Sequence, residues 1–319
     1  MRIVVLDGLT LNPGDNSWQA VESLGEVTVY DRTSKDQILQ RSAGAQILLT
    51  NKTPLDADCL AQLNSLQMIS VLATGYNVVD VEQAKKQGVP VCNVPVYGTH
   101  SVAQHVFATL LSFIHRPFEH DRAIRDGKWN ECQDFSFCLQ PIHELNGKVL
   151  GIVGYGRIGA QVAKLADAFG MKIRCHTRSP KPDPGFSDFG FCDLEEVFSE
   201  SDFISLNCPQ TPENTGFVCE KLIDRMKPTA ILINASRGGL INESDLANAL
   251  NQGRIRGAIL DVVSVEPIEE TNPLFKAKNC LLTPHYAWAA VEARRRLMQT
   301  TAENIQAFIS GSPINVVNR

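Results

Sequence analysis

The 319-residue sequence has no apolar run approaching the roughly 20 residues that a membrane-spanning helix needs. Its apolar start, residues 3–6, is too short for a secretory h-region and ends in Asp7. It has no excess of positive charge. Thirty Lys and Arg stand against 35 Asp and Glu, net −5, so neither nucleic acid nor a membrane surface is an expected partner. Low-complexity tracts and internal repeats are missing, which excludes disordered and solenoid classes. The nine cysteines lack zinc-ligand spacing. Cys132 and Cys138 are close, but no histidine pair accompanies them, and no metal site is expected. Without an export signal the thiols are expected to be reduced and the compartment cytoplasmic.

What is present is an ordinary globular composition, 44% hydrophobic and 20% charged, in a chain long enough for two domains. Strand-like runs at 2–7, 26–31, 45–50, 68–74 and 89–94 alternate with helical patterns at 16–24, 34–43, 56–64 and 81–87. Repeated βα units imply a parallel sheet covered by helices. A long helix follows at 101–115, then a polar and aromatic segment, 116–141, with no clear period. The alternation restarts at 148, with strands at 149–153, 172–176, 203–207, 230–234, 257–262 and 280–283. A helix at 290–309 closes the pattern. Its Arg294-Arg295-Arg296 reads as a solvated face, and 312–319 reads as an extended tail.

The stretch Gly151-Ile152-Val153-Gly154-Tyr155-Gly156-Arg157-Ile158-Gly159 places GxGxxG between a strand and an amphipathic helix. Gly154 permits the tight turn, Gly156 lets the backbone approach a pyrophosphate, and Gly159 allows close helix–strand packing. The helix N-terminus, through Arg157 and Ile158, offers N–H groups to the anion. That context points to a dinucleotide. A methyl-donor site reusing the geometry, or a ligand-free turn, are the alternatives.

Sites specific for NAD place an acid near the end of the following strand, about 20 residues on. Here the segment is Cys175-His176-Thr177-Arg178-Ser179-Pro180-Lys181, with no acid before Asp183. Thr177 and Ser179 can hydrogen-bond a 2′-phosphate, and Arg178 and Lys181 can neutralise it, so NADP(H) is favoured over NAD(H).

Three segments then end predicted strands: Asn234-Ala235-Ser236-Arg237-Gly238, Asp261 with Glu266-Pro267, and Thr283-Pro284-His285. Open α/β sheets bind ligands at the carboxyl ends of their strands. An arginine there can clamp a carboxylate, a histidine can carry a proton, and a glutamate can orient the histidine. Taken singly, each has a bland reading as an ion-pair residue, a turn or a loop histidine. The other histidines, His105 among them, read as structural or surface residues.

These motifs, in this order and with Tyr97-Gly98-Thr99-His100-Ser101-Val102-Ala103-Gln104-His105 at the first long helix, resemble the D-isomer-specific 2-hydroxyacid dehydrogenase family along the whole chain. His285-Tyr286-Ala287-Trp288 is similar to the glycerate dehydrogenase (hydroxypyruvate reductase) branch, with Tyr replacing the usual aliphatic residue. The resemblance implies an α/β fold of two Rossmann-like or flavodoxin-like parallel-sheet domains. A substrate domain of residues 1–98 and 287–319 would be interrupted by a cofactor domain of residues 99–286, usually in a homodimer. It implies NAD(P)-dependent interconversion of a small 2-keto acid and its hydroxy acid. Hydroxypyruvate and D-glycerate come first, then glyoxylate or another 2-hydroxy acid. Arg237 would hold the substrate, His285 would be the acid/base and Glu266 its partner. Thr74 and Gly75, in the loop that binds the carboxylate, would add substrate contacts. Asp261 would meet the nicotinamide carboxamide, and Cys208, Pro209, Ala235 and Ala287 complete the candidate cofactor set. A non-enzymatic nicotinamide-sensing regulator on the same fold is the rival class.

Overall fold

Ile3 and Val5 turn to one face of the first strand and Val4 and Leu6 to the other, and all four are fully buried. A strand apolar on both faces belongs inside a parallel sheet covered on both sides. The computed structural model, which describes residues 1–179 and 181–319, has that arrangement twice. Two units divide the chain, Met1–Gly98 with Trp288–Arg319 and Thr99–Ala287.

In the first unit, β1 (Arg2–Val5), β2 (Glu26–Val29), β3 (Ile47–Thr50), β4 (Met68–Val71) and β5 (Val91–Cys92) form a parallel sheet in the order β2-β1-β3-β4-β5. Helices α1 (Gln19–Glu22), α2 (Ile38–Ser42), α3 (Ala57–Leu60) and α4 (Val81–Lys86) lie between the strands in sequence. Ile38, Leu60 and Ala84 from α2–α4 meet Val4, Leu48 and Ile69 on one face. Val21 of α1 meets Ile3, Val5 and Leu49 on the other, with Leu297, Met298 and Ile305 from the C-terminal helix (Val291–Ile309). The extended tail pairs with β5, through Val317 N–H to the Val91 carbonyl at 2.8 Å.

Arg294 on that helix departs from the expected solvated face. It is 7% exposed, with both terminal nitrogens on the Asp15 carboxylate and Nε donating to the Ala289 carbonyl at 3.0 Å. A guanidinium can be buried where a planar carboxylate and carbonyls take its donors. Arg295 and Arg296 are exposed.

In the second unit, α5 (Thr99–His115) and α6 (Pro117–Arg125) precede a seven-stranded parallel sheet. Its strands are β6 (Val149–Val153), β7 (Lys172–His176), β8 (Phe189–Phe191), β9 (Phe203–Leu206), β10 (Ile231–Asn234), β11 (Gly257–Leu260) and β12 (Cys280–Leu282), in the order β12-β11-β10-β9-β6-β7-β8. Leu150, Ile152 and Ile233 pack under α5 and α7 (Arg157–Ala168). Leu206, Leu232 and Leu260 pack under α8 (Leu194–Glu200), α9 (Glu220–Ile223) and α10 (Glu243–Gln252). The strand order reverses between β6 and β9, the switch point where such sheets take ligands.

Two elements lack a sequence signal. Helix α6 buries none of its residues, so no core face announces it, although Pro117 at its first position suits a helix start. Strand β8 is only Phe-Gly-Phe at the sheet edge. The passage between units falls after Ala287, one residue beyond the expected junction. Ala287 N–H donates to Asp261 Oδ2 at 2.9 Å and its carbonyl accepts from Ser101 Oγ at 2.6 Å, which ties it to the second unit.

Candidate active site

The glycine loop leaves β6 at the switch point. Gly154 has φ +99°, and a Cβ there would stand 2.7 Å from the Cys208 backbone nitrogen. Gly159 is as restricted, since a Cβ would lie 2.1 Å from the Gly154 carbonyl oxygen. Gly156 differs. A Cβ there would meet nothing within 4 Å, so open space lies above the start of α7. The first intrahelical acceptor is reached by Ala160 N–H, which bonds to the Gly156 carbonyl at 2.9 Å. The N–H groups of Arg157, Ile158 and Gly159 thus precede the helical ladder, as an anion-binding N-terminus requires. Glycine where a side chain would crowd the backbone, beside open space at a helix start, fits a dinucleotide pyrophosphate. Cys208 and Pro209 continue from β9 next to this turn.

At the end of β7, Thr177 and Arg178 line a cavity of about 300 Å³ with Cys175, Lys181, Phe191 and Cys192. Burial pushes the Cys175 thiol up to about 12 and the Cys192 thiol up to about 11, so both line it as neutral groups. Ser179 follows Arg178 but is not among the lining residues. The Arg178 charge also reaches Glu213, whose carboxyl is held below its ordinary value by the Thr211 hydroxyl first and by Arg178 more weakly.

Arg237 follows β10 on a turn built by Asn234. The Asn234 side chain is fully buried, donates to the Arg237 carbonyl at 2.8 Å and accepts from Ser236 N–H and Oγ at 3.0 Å each. Gly238 lets this turn press on the next loop, because a Cβ there would sit 1.9 Å from the Val263 carbonyl carbon. The Arg237 side chain is exposed and donates through one terminal nitrogen to the Ser236 carbonyl at 2.6 Å. Ala235 lies on the same turn, half-buried.

His285 and Glu266 come together. His285 Nδ1 is 2.6 Å from Glu266 Oε2, with side chains 27% and 34% exposed, and Glu266 Oε1 accepts from Val263 N–H at 3.3 Å. His285 adopts φ +51°, an uncommon conformation for a non-glycine residue. It is held there by its N–H on the Asp261 carbonyl at 2.7 Å. The Asp261 side chain, 2% exposed, grips the same loop. Oδ1 accepts from Thr283 Oγ1 at 2.6 Å and Tyr286 N–H at 3.1 Å, and Oδ2 accepts from Ala287 N–H. Both carboxylate oxygens of Asp261 are therefore engaged in shaping the histidine loop.

Thr74 and Gly75 lie beyond β4 in the first unit. There Thr74 Oγ1 donates to the Val94 carbonyl at 2.9 Å and the Thr74 carbonyl accepts from Asn93 at 2.7 Å. Among the described residues no group of three His, Cys, Asp or Glu is placed to hold a metal ion, and no helix is long and apolar enough to cross a membrane.

Glu243, at the start of α10, was not foreseen. It accepts from Ser264 N–H at 2.6 Å, Ser264 Oγ at 2.8 Å and Asn272 Nδ2 at 2.8 Å, and so anchors the loop that carries Glu266. Its only sequence signal is an acid in a helical first turn, an unremarkable feature. His105 of α5 also reaches the site, with Nε2 3.3 Å from Thr283 Oγ1 and 3.7 Å from Asp261 Oδ1.

Comparison with known proteins agrees with this geometry. Residues 107–287 match the D-isomer specific 2-hydroxyacid dehydrogenase, NAD binding domain family. The whole chain is 47% identical to a hydroxypyruvate reductase from Blautia hydrogenotrophica, covering 100% of both. It is 39% identical to a glycerate dehydrogenase from Methylorubrum extorquens, covering 92% of each. Among solved structures it is similar to the NADPH-dependent glyoxylate/hydroxypyruvate reductase of Sinorhizobium meliloti in complex with NADP and malonate. The TM-score is 0.81 at 27% identity, covering 99% of this chain and 96% of that one. A cradle at the switch point, an arginine turn and a paired histidine, together with these likenesses, identify the chain as a member of the D-isomer-specific 2-hydroxyacid dehydrogenase family.

Proposed function

We propose that this protein reduces hydroxypyruvate to D-glycerate with a nicotinamide dinucleotide. The observation that carries the reading is the His285–Glu266 bond, formed in the same unit as the glycine cradle and the Arg237 turn. When bound, the reduced nicotinamide supplies a hydride to C2 of the keto acid. His285 delivers a proton from Nε2 to the oxygen as it gains charge, while Glu266 keeps Nδ1 protonated and the ring oriented. Arg237 binds the substrate carboxylate and stabilises the same oxygen. The backbone amides of Thr74 and Gly75 are proposed as further substrate-binding groups. The Arg157–Gly159 amides hold the pyrophosphate, flanked by Gly154, Gly156, Cys208 and Pro209. Asp261, Ala235 and Ala287 shape the nicotinamide end.

NADP(H) is the proposed cofactor form, with the 2′-phosphate held by Thr177, Arg178 and Ser179. The cavity at the end of β7, lined by Thr177, Arg178 and Lys181 among others, and the NADP complex of the Sinorhizobium relative support this choice. A homodimer is proposed through the segment after α5, where Phe118 is 77% and Phe135 is 91% exposed. Such apolar surface suits association. The nine cysteines stand as free thiols, which suits the proposed cytoplasmic location.

The test is a matrix of hydroxypyruvate, glyoxylate and pyruvate against NADH and NADPH, followed at the nicotinamide absorbance. The highest kcat/KM is expected for hydroxypyruvate with NADPH. A clear preference for glyoxylate would assign a glyoxylate reductase instead, and cofactor binding without turnover would favour a nicotinamide-sensing regulator.

A further inference from the structure

His105 lies against the loop that carries His285, meeting Thr283 and Tyr286 in it and Asp261 beside it. Nε2 is 3.3 Å from Thr283 Oγ1 and 3.7 Å from Asp261 Oδ1, and the ring meets Tyr286 edge-on at 5.2 Å between centroids. The side chain is 9% exposed. Hydrogen bookkeeping then assigns its tautomer. Thr283 Oγ1 has one proton, and at 2.6 Å from Asp261 Oδ1 that proton goes to the carboxylate, which can only accept. The hydroxyl therefore presents a lone pair to His105, so Nε2 must carry a proton. A ring protonated on Nδ1 alone would set two lone pairs against each other.

The charge state follows from the surroundings. Burial draws the imidazole below its ordinary value, outweighing the opposite pull of Asp261, so the ring is a neutral donor. A neutral donor orients Thr283 and Asp261 without cancelling the Asp261 charge, as a lysine or arginine in its place would. Asp261 in turn holds the N–H groups of His285, Tyr286 and Ala287.

We propose that His105 is a positioning residue, whose Nε2–H fixes the Thr283–Asp261 pair and through it the His285 loop. The assignment rests on the acid/base reading of His285 for its catalytic consequence but not for its tautomer.

The experiment compares His105→Leu with His105→Gln, whose amide can replace the donor. Loss of one neutral hydrogen bond corresponds to about a fivefold effect. His105→Leu is expected to lower kcat with hydroxypyruvate about fivefold while leaving NADPH affinity and KM near the unmodified values. His105→Gln should recover most of that loss at equal melting temperature. Nitrogen NMR of histidine-labelled protein should show His105 neutral and protonated at Nε2. Unchanged kcat in the leucine variant, equal loss in both variants, or an Nδ1-protonated His105 would overturn the proposal. Should His105→Leu not fold, Thr283→Val against Thr283→Ser reads the same relay, and only the valine should lose kcat. If the unmodified protein turned over no keto acid, the function reading would fail, while the NMR tautomer would still decide the His105 contact.

Discussion

Glu266 Oε2 stands 2.6 Å from His285 Nδ1, though the two residues are 19 positions apart in the chain. A carboxylate only accepts, so the proton of that bond sits on Nδ1. In the proposed reaction this leaves Nε2 to exchange a proton with the substrate oxygen. Neither partner is placed by its immediate neighbours alone. Glu266 is turned by Val263 N–H and its loop is anchored by Glu243, while His285 is held at a positive φ by the Asp261 carbonyl.

Replacing His285 by alanine should cost about 10²–10⁴-fold in kcat, the usual span of general acid catalysis. NADPH binding, followed by fluorescence, should persist because the glycine cradle is untouched. Near-normal turnover would remove His285 as the acid/base.

Glu266→Gln keeps an acceptor near Nδ1 but removes the charge. The expected outcome is a smaller fall in kcat, roughly tenfold on the scale of a charge-assisted hydrogen bond, with KM for hydroxypyruvate little changed. A loss as large as that of His285→Ala would mean that Glu266 itself contacts the reacting atoms.

Arg237→Lys preserves charge but not the planar two-point contact. A drop of about 10- to 100-fold in kcat/KM is expected, with both KM and kcat affected. If melting temperature alone changed, Arg237 would be only a part of the Asn234 turn.

Thr177→Asp combined with Arg178→Ala should weaken NADPH by about ten- to a hundredfold and spare NADH. The new carboxylate can accept from ribose hydroxyls and repels a phosphate. Initial rates at fixed hydroxypyruvate with each cofactor read the outcome. An unmodified enzyme that already prefers NADH, unmoved by Arg178→Ala, would leave Arg178 engaged only with Glu213.

The Asp15–Arg294 pair gives a pH signature. The Arg294 hydrogen bond holds the Asp15 carboxyl below its ordinary 3.8. A lowered folded-state value means the stabilisation is complete above 3.8 and disappears as pH falls through the lower folded value. The unmodified protein should therefore melt above Asp15→Asn at neutral pH, with the gap closing in acid. A gap independent of pH would show that the carboxylate charge contributes nothing.

Local order was readable wherever a repeating physical rule wrote it into neighbouring residues. Both-faced apolar runs such as 3–6 and 231–233 announce buried parallel strands, and Gly154 and Gly159 announce a turn with no room for a side chain, beside open space at Gly156. Arg237, Glu266 and His285 follow predicted strands, and the roles proposed for them are those the family resemblance implies. Other features have no such local trace. Helix α6 buries none of its residues, so no core contact marks it. Arg294 looks like one of three surface arginines until Asp15, 279 positions away, takes its charge. His105, 178 positions from Thr283, and Glu243, 21 from Ser264, acquire their partners only when distant strand ends and helices meet. Periodicity and glycine stereochemistry act between near neighbours and can be read in order. The burial of a polar group depends on whether the folded chain brings it a partner, and that is a property of three-dimensional packing.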